Sequence, residues 1–135
     1  MVARVEATTA ALAPETVEAI TATVTRYAQA YYEGNADMMR STLHADFVWR
    51  GLNLAGTGAS GLTTRSGLSQ LDAVEGGHGR AVAPSRRIAE VSVLAVDHDI
   101  ASVRLKLAKG GEWLHLVHWR QRWLIVDAIS EGSAP

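Results

Sequence analysis

The hydrophobic period changes once along this chain, near residue 87, and that change limits the folds open to it. Upstream, apolar residues recur every three or four positions, the repeat of an amphipathic helix. Downstream they alternate with a period near two, the repeat of strands with one buried face. Helices first and strands second predict an α+β domain with an antiparallel meander rather than alternating α/β units. With 135 residues the chain has room for one such domain and its core, and not for two.

The helical part opens at Pro14, since proline suits the first helical position and Glu15 suits the positive end of the helix dipole. Val17, Ile20, Val24, Tyr27 and Tyr31 then form one stripe, which predicts a helix of roughly five turns. Gly34 tolerates the left-handed conformation that ends a helix, and Asn35 can cap a second one running through Met38, Met39 and Leu43. Phe47, Val48 and Trp49 predict a short strand, followed by a Gly- and Thr-rich loop over 51–64. Thr64 or Ser66 can cap a short third helix with Leu68, Leu71 and Val74 on its apolar edge. Gly76, Gly77 and Gly79 end that helix in a segment running to Pro84. Loops 51–64 and 76–85 are long and glycine-rich enough to act as lids.

Three or four strands follow: Ile88 to Val96, Ile100 to Leu107, Glu112 to Trp119 and Trp123 to Ile129. The turns between them fall at Asp97-His98-Asp99, Lys109-Gly110-Gly111 and Arg120-Gln121. Residues 1–13 are expected to be a flexible leader, 14–130 the domain and 131–135 a flexible tail. The apolar stripe of the first helix needs a partner, and the sheet offers the only large one. A curved sheet wrapped over that helix encloses a pocket.

Composition removes several classes of function. Thirteen basic residues against fourteen acidic ones, with no basic run longer than Arg86-Arg87, leave no electrostatic footprint for nucleic acid or an anionic membrane. Cysteine is absent, so thiolate nucleophiles, disulfides and zinc-thiolate sites are excluded. No apolar run approaches the ~18 residues of a spanning helix, and the N-terminus has no signal-peptide core, so a cytoplasmic location is expected.

A set of ordered motifs resembles the nuclear transport factor 2-like superfamily, and within it the lumazine-binding group. They are Tyr31-Tyr32-Glu33-Gly34-Asn35-Ala36-Asp37, Leu43-His44-Ala45-Asp46, Asp99-Ile100-Ala101-Ser102-Val103, Trp113-Leu114-His115-Leu116 and Arg122-Trp123-Leu124-Ile125-Val126. The resemblance covers about residues 17–129. It implies a cone-shaped fold, a pocket between helices and sheet, and homodimerisation through the outer sheet face, but no single activity. Two departures stand out. Members of that group carry Asn-Gly or Asp-Gly before the final Arg-Trp, where this chain has Arg120-Gln121, so a different turn is expected. Glu112-Trp113 stands where the group has Asp-Tyr, which makes the pocket or interface more aromatic.

Arg26-Tyr27 followed by Gly34 resembles the helix of ketosteroid isomerase that bears its oxyanion-hole tyrosine, which implies a donor role for Tyr27. The same ungapped alignment puts Gly51 where that enzyme has its general base, so the standard isomerase mechanism is not expected. His115 and His118 are the other acid/base candidates. They differ by an odd number, so they face opposite sides of a regular strand and only one can enter the pocket. Asp127, an acid among apolar residues of the last strand, is a candidate partner for a histidine or arginine, or an interface residue. Trp49 should point inward as a flat wall. Tyr31 lies on the stripe of Tyr27 as a second wall or as core. Arg104 faces away from its strand's apolar side, toward solvent or an anionic ligand, and Trp113 is a further candidate ligand contact. His44, His78 and His98 have no metal-ligand spacing, so no metal and no cofactor are expected.

The function expected from these features is cofactor-independent proton transfer (isomerisation, dehydration or cyclisation) on a small hydrophobic molecule in an aromatic-lined pocket of a homodimer. The alternatives are a non-catalytic small-molecule-binding protein and a dimerising interaction module.

Overall fold

The computed structural model describes residues 12–52 and 61–131. Helix α1 (Pro14–Glu33) begins with proline in its first turn and ends at Gly34, whose φ of 64° is the left-handed cap conformation. Its stripe of Ile20, Val24 and Tyr27 is buried together with Ala28 and Ala30. Burial of each large side chain contributes roughly 1.5–3 kcal/mol. Asn35 accepts a bond from the Met38 backbone N–H and so caps α2 (Ala36–Arg40).

α2 is shorter than the sequence predicts. The Ser41 and Thr42 hydroxyls donate back to the Met38 and Met39 carbonyls, and the Thr42 carbonyl accepts from the Ile125 N–H. That contact turns the chain out of the helix and into the sheet. Leu43, expected in the helix, therefore opens β1 (Leu43–Leu52), which is longer than the predicted strand and pairs in parallel with β6 (Arg122–Glu131).

The expected loop over 51–64 also contains a strand at its far end. β2 (Leu62–Ser66) pairs antiparallel with β1, from Val48 opposite Ser66 to Leu52 opposite Leu62. Thr63 and Thr64 are β-branched and fit a pleated edge strand. The middle of that loop, 53–60, lies outside the described residues, as do most of the expected leader and all but one residue of the expected tail. Ser66 accepts from the Ser69 N–H as the cap of α3 (Gly67–Glu75). The following segment lies close against α1, where a side chain on Gly79 would strike the Tyr31 carbonyl, and Arg87 folds it on itself by donating to the carbonyls of Val82 and Arg80.

β3 (Ala89–Asp97), β4 (Ile100–Leu107) and β5 (Gly110–Trp119) continue as the expected antiparallel meander into β6. The six strands form one mostly antiparallel curved sheet in the order β2-β1-β6-β5-β4-β3, and the helices complete an α+β cone. Arg120-Gln121 keeps the two-residue hairpin expected of Asn-Gly, with Trp119 opposite Arg122. Both turn residues adopt positive φ, 49° and 66°, so the turn geometry is retained without glycine. The core lies between α1 and the inner sheet face, where Val103 and Leu105 of β4, Leu114 and Leu116 of β5 and Ile125 of β6 are buried.

Candidate functional site

Alternation along β5 carries Glu112 inward with Leu114 and Leu116, and its side chain is 1% exposed. A carboxylate in such a place is tolerated only when its oxygens are satisfied. Three elements satisfy it. From α1, the Tyr27 hydroxyl donates to Oε1 at 2.8 Å; from β1, the Trp49 indole N–H donates to Oε2 at 3.2 Å; and from the β4–β5 turn, Lys109 Nζ lies 3.2 Å from the same oxygen. Burial and the adjacent Glu112 charge both push the Tyr27 phenol well above its ordinary value, so it stays a neutral donor. Its one hydrogen is committed to Glu112.

Toward the surface the cluster becomes cationic and aromatic. Lys109 Nζ lies 4.8 Å from the Tyr31 ring centroid and 5.9 Å from that of Trp49. The Arg65 guanidinium, from β2, sits 4.4 Å from the Trp49 centroid. Partial burial raises the Tyr31 phenol, with the Lys109 charge opposing it. At Gly51, the position that the isomerase resemblance assigns to a general base, the Trp49 indole fills the space that a side chain would enter. The site can therefore offer a flat aromatic surface, two cationic donors at its edge and a buried carboxylate beneath.

The structure gathers Tyr27, Tyr31 and Trp49 here and puts the other predicted residues elsewhere. His115 and Asp127 stand opposite each other on β5 and β6, with Nδ1 2.8 Å from the carboxylate, on the outer face. Trp113 lies on that face too, with the Arg104 guanidinium 5.5 Å from its ring. His118 is on the opposite face from His115, as its odd spacing predicts. Its Nδ1 lies 3.3 Å from Asp99 and its ring 5.1 Å from that of Trp123, beside a groove of about 690 Å³ at the far end of α1. Among the described residues no cluster of three or more His, Asp or Glu could hold a metal ion. No helix among them is long and apolar enough to cross a membrane.

The residues that sequence reasoning missed are Glu112, Lys109 and Arg65. A signal for Glu112 was present, because an acid two residues before Leu114 and four before Leu116 shares their buried face. Nothing in the spacing of Arg65 could have found it, since its role depends on β2 pairing with β1.

Comparison with solved structures returns the same fold in several bacterial proteins. A nuclear transport factor 2-like protein of unknown function from Silicibacter pomeroyi aligns over 85% of this chain and 93% of its own, with a TM-score of 0.72 and 19% identity. One from Shewanella baltica aligns over 85% and 91%, with a TM-score of 0.65 and 15% identity. A protein of unknown function with a cystatin-like fold from Nostoc punctiforme aligns over 89% and 92%, with a TM-score of 0.64 and 10% identity. Comparison with curated proteins gives no match. The family described as "Putative lumazine-binding" matches residues 15–129. With that match spanning nearly all of the domain, and with the cone of helices on a curved sheet, the chain belongs to this lumazine-binding family of the nuclear transport factor 2-like superfamily.

Proposed function

We propose that this protein binds a small, flat heterocyclic molecule without transforming it, on the Trp49 face beside Tyr31, Arg65 and Lys109. The observation that carries this reading is the Arg65 guanidinium lying 4.4 Å from the centroid of the Trp49 ring. A guanidinium is planar and delocalised, so it occupies the place a flat ring would take. Arg65 is half-buried at the edge of the sheet and can swing aside. Lys109 and Arg65 would then donate to carbonyl acceptors at the ring's edge. The family description names lumazine, a fused two-ring heterocycle with such carbonyls, and this chemistry suits it. The protein would act in the cytoplasm as a homodimer, through the outer sheet face that carries Trp113, Ile129 and the His115–Asp127 pair.

Proton transfer is the second reading, favoured by one contact, the Tyr27 hydroxyl 2.8 Å from the Glu112 carboxylate. In that reading Glu112 serves as base with Tyr27 holding its carboxylate in place, and the histidines take no part. Fluorescence titration with lumazine, followed by chromatography of the recovered ligand, separates the two. Binding predicts quenching that is lost in Trp49→Phe and a ligand recovered unchanged. A new product whose formation disappears in Glu112→Gln would replace binding with catalysis. Quenching that persists in Trp49→Phe would overturn the location.

A further inference from the structure

The groove at the far end of α1 belongs to no part of the site above. It runs between α1 and the ends of the sheet hairpins, with Thr23, Ser41, His118 and Trp123 among its lining residues. Two arginines converge in it on a single residue: Arg26 donates from Nε to the Ser41 hydroxyl at 2.8 Å, and Arg122 donates from Nη2 to the Ser41 carbonyl at 2.6 Å. Among the described residues neither guanidinium has a carboxylate within ion-pair distance. Glu15, which also lines the groove, is eleven residues from Arg26 along α1, roughly 16 Å of helix, and does not neutralise it. Two like charges brought to one residue repel each other, and an oxyanion between them would turn that repulsion into attraction. Each guanidinium keeps further N–H donors beyond the one bonded to Ser41.

The remainder of the lining mixes polar residues, Thr16, Thr42, His98 and Gln121, with an apolar and aromatic stretch. Ala19 and Ala22 present methyl groups from α1, and Trp123 lies across from them with the His118 ring tilted 34° against it. A volume of about 690 Å³ falls within the range of small-molecule sites. We propose that this groove binds a small aromatic molecule bearing a carboxylate or phosphate. The oxyanion lies between Arg26 and Arg122, and the ring lies along Trp123 and the two alanines.

Calorimetric titration with benzoate and with phenyl phosphate, and with benzyl alcohol as the neutral control, tests this. At least one anion should bind, more weakly as salt is raised, and its affinity should fall about tenfold in Arg26→Gln and in Arg122→Gln. The relative affinities of the two anions decide whether carboxylate or phosphate is preferred. Trp49→Phe should leave this binding unchanged, which separates the groove from the Trp49 site. Both arginines are exposed, and melting curves on the two variants check that they remain folded. Absence of binding by both anions, equal binding of benzyl alcohol, or affinities unmoved by both arginine variants would overturn the proposal.

Discussion

Glu112 has wide consequences for a single residue, because groups from three parts of the chain meet on its carboxylate. Removing it in Glu112→Ala orphans the Tyr27 hydroxyl and the Trp49 N–H, both buried, while the partly exposed Lys109 can turn to solvent. At about 1–3 kcal/mol for each orphaned donor, the variant should lose about 3 kcal/mol of unfolding free energy. Urea titration showing a loss well under 1 kcal/mol would mean that the cluster is not closed as described. Tyr27 adds a pH dependence. Its folded pKa is raised above the ordinary 10.0, so the linked stability is complete below that pH and declines once the unfolded chain begins to ionise. Above about pH 10 wild-type stability should fall more steeply than that of Tyr27→Phe, by up to about 1.4 kcal/mol per pH unit. Parallel alkaline denaturation curves for the two proteins would contradict the neutral, buried phenol.

The Arg120-Gln121 turn shows how far an element can depart from its preferred residues. Left-handed geometry costs an L-residue roughly 1–2 kcal/mol, and glycine escapes that cost while losing some through its freer unfolded state. Gln121→Gly should therefore raise stability by about 0.5–1 kcal/mol in thermal or urea unfolding, whereas a destabilised variant would show that φ of 66° is not strained here. Elements set by local signals were legible in the sequence. Pro14, Gly34 and Asn35 mark the ends of α1 and α2, and period-two alternation marks β3 to β6. Elements set by distant pairing were not. Leu43 enters a strand because Thr42 bonds to Ile125, more than eighty residues away, and Leu62–Ser66 becomes a strand because β1 offers it an edge. The site divides in the same way. Inward placement of Trp49 follows from alternation, whereas its meeting with Glu112, Lys109 and Arg65 depends on how three separate segments close.

On the scale of the whole molecule, the outer sheet face differs in character from the two ends of α1. The outer sheet face carries Trp113 and Ile129, opposite each other in the β5–β6 register and 41% and 44% exposed, beside Arg104 and the His115–Asp127 pair. Such a patch on a sheet face suits a second copy of the chain. Sedimentation should give a dimer for the wild type and a monomer for Trp113→Glu, and a monomeric wild type would contradict the shared face. The ends of α1 carry the Trp49 site and the arginine groove, which lie apart and should accept their ligands independently. The most direct test of the account is a crystal structure of the protein grown with lumazine. The predicted result is the heterocycle stacked on Trp49 in the place of Arg65, with Lys109 at its edge and Tyr27 still bonded to Glu112. Arg65 unmoved on Trp49, with lumazine absent or seated elsewhere, would contradict it.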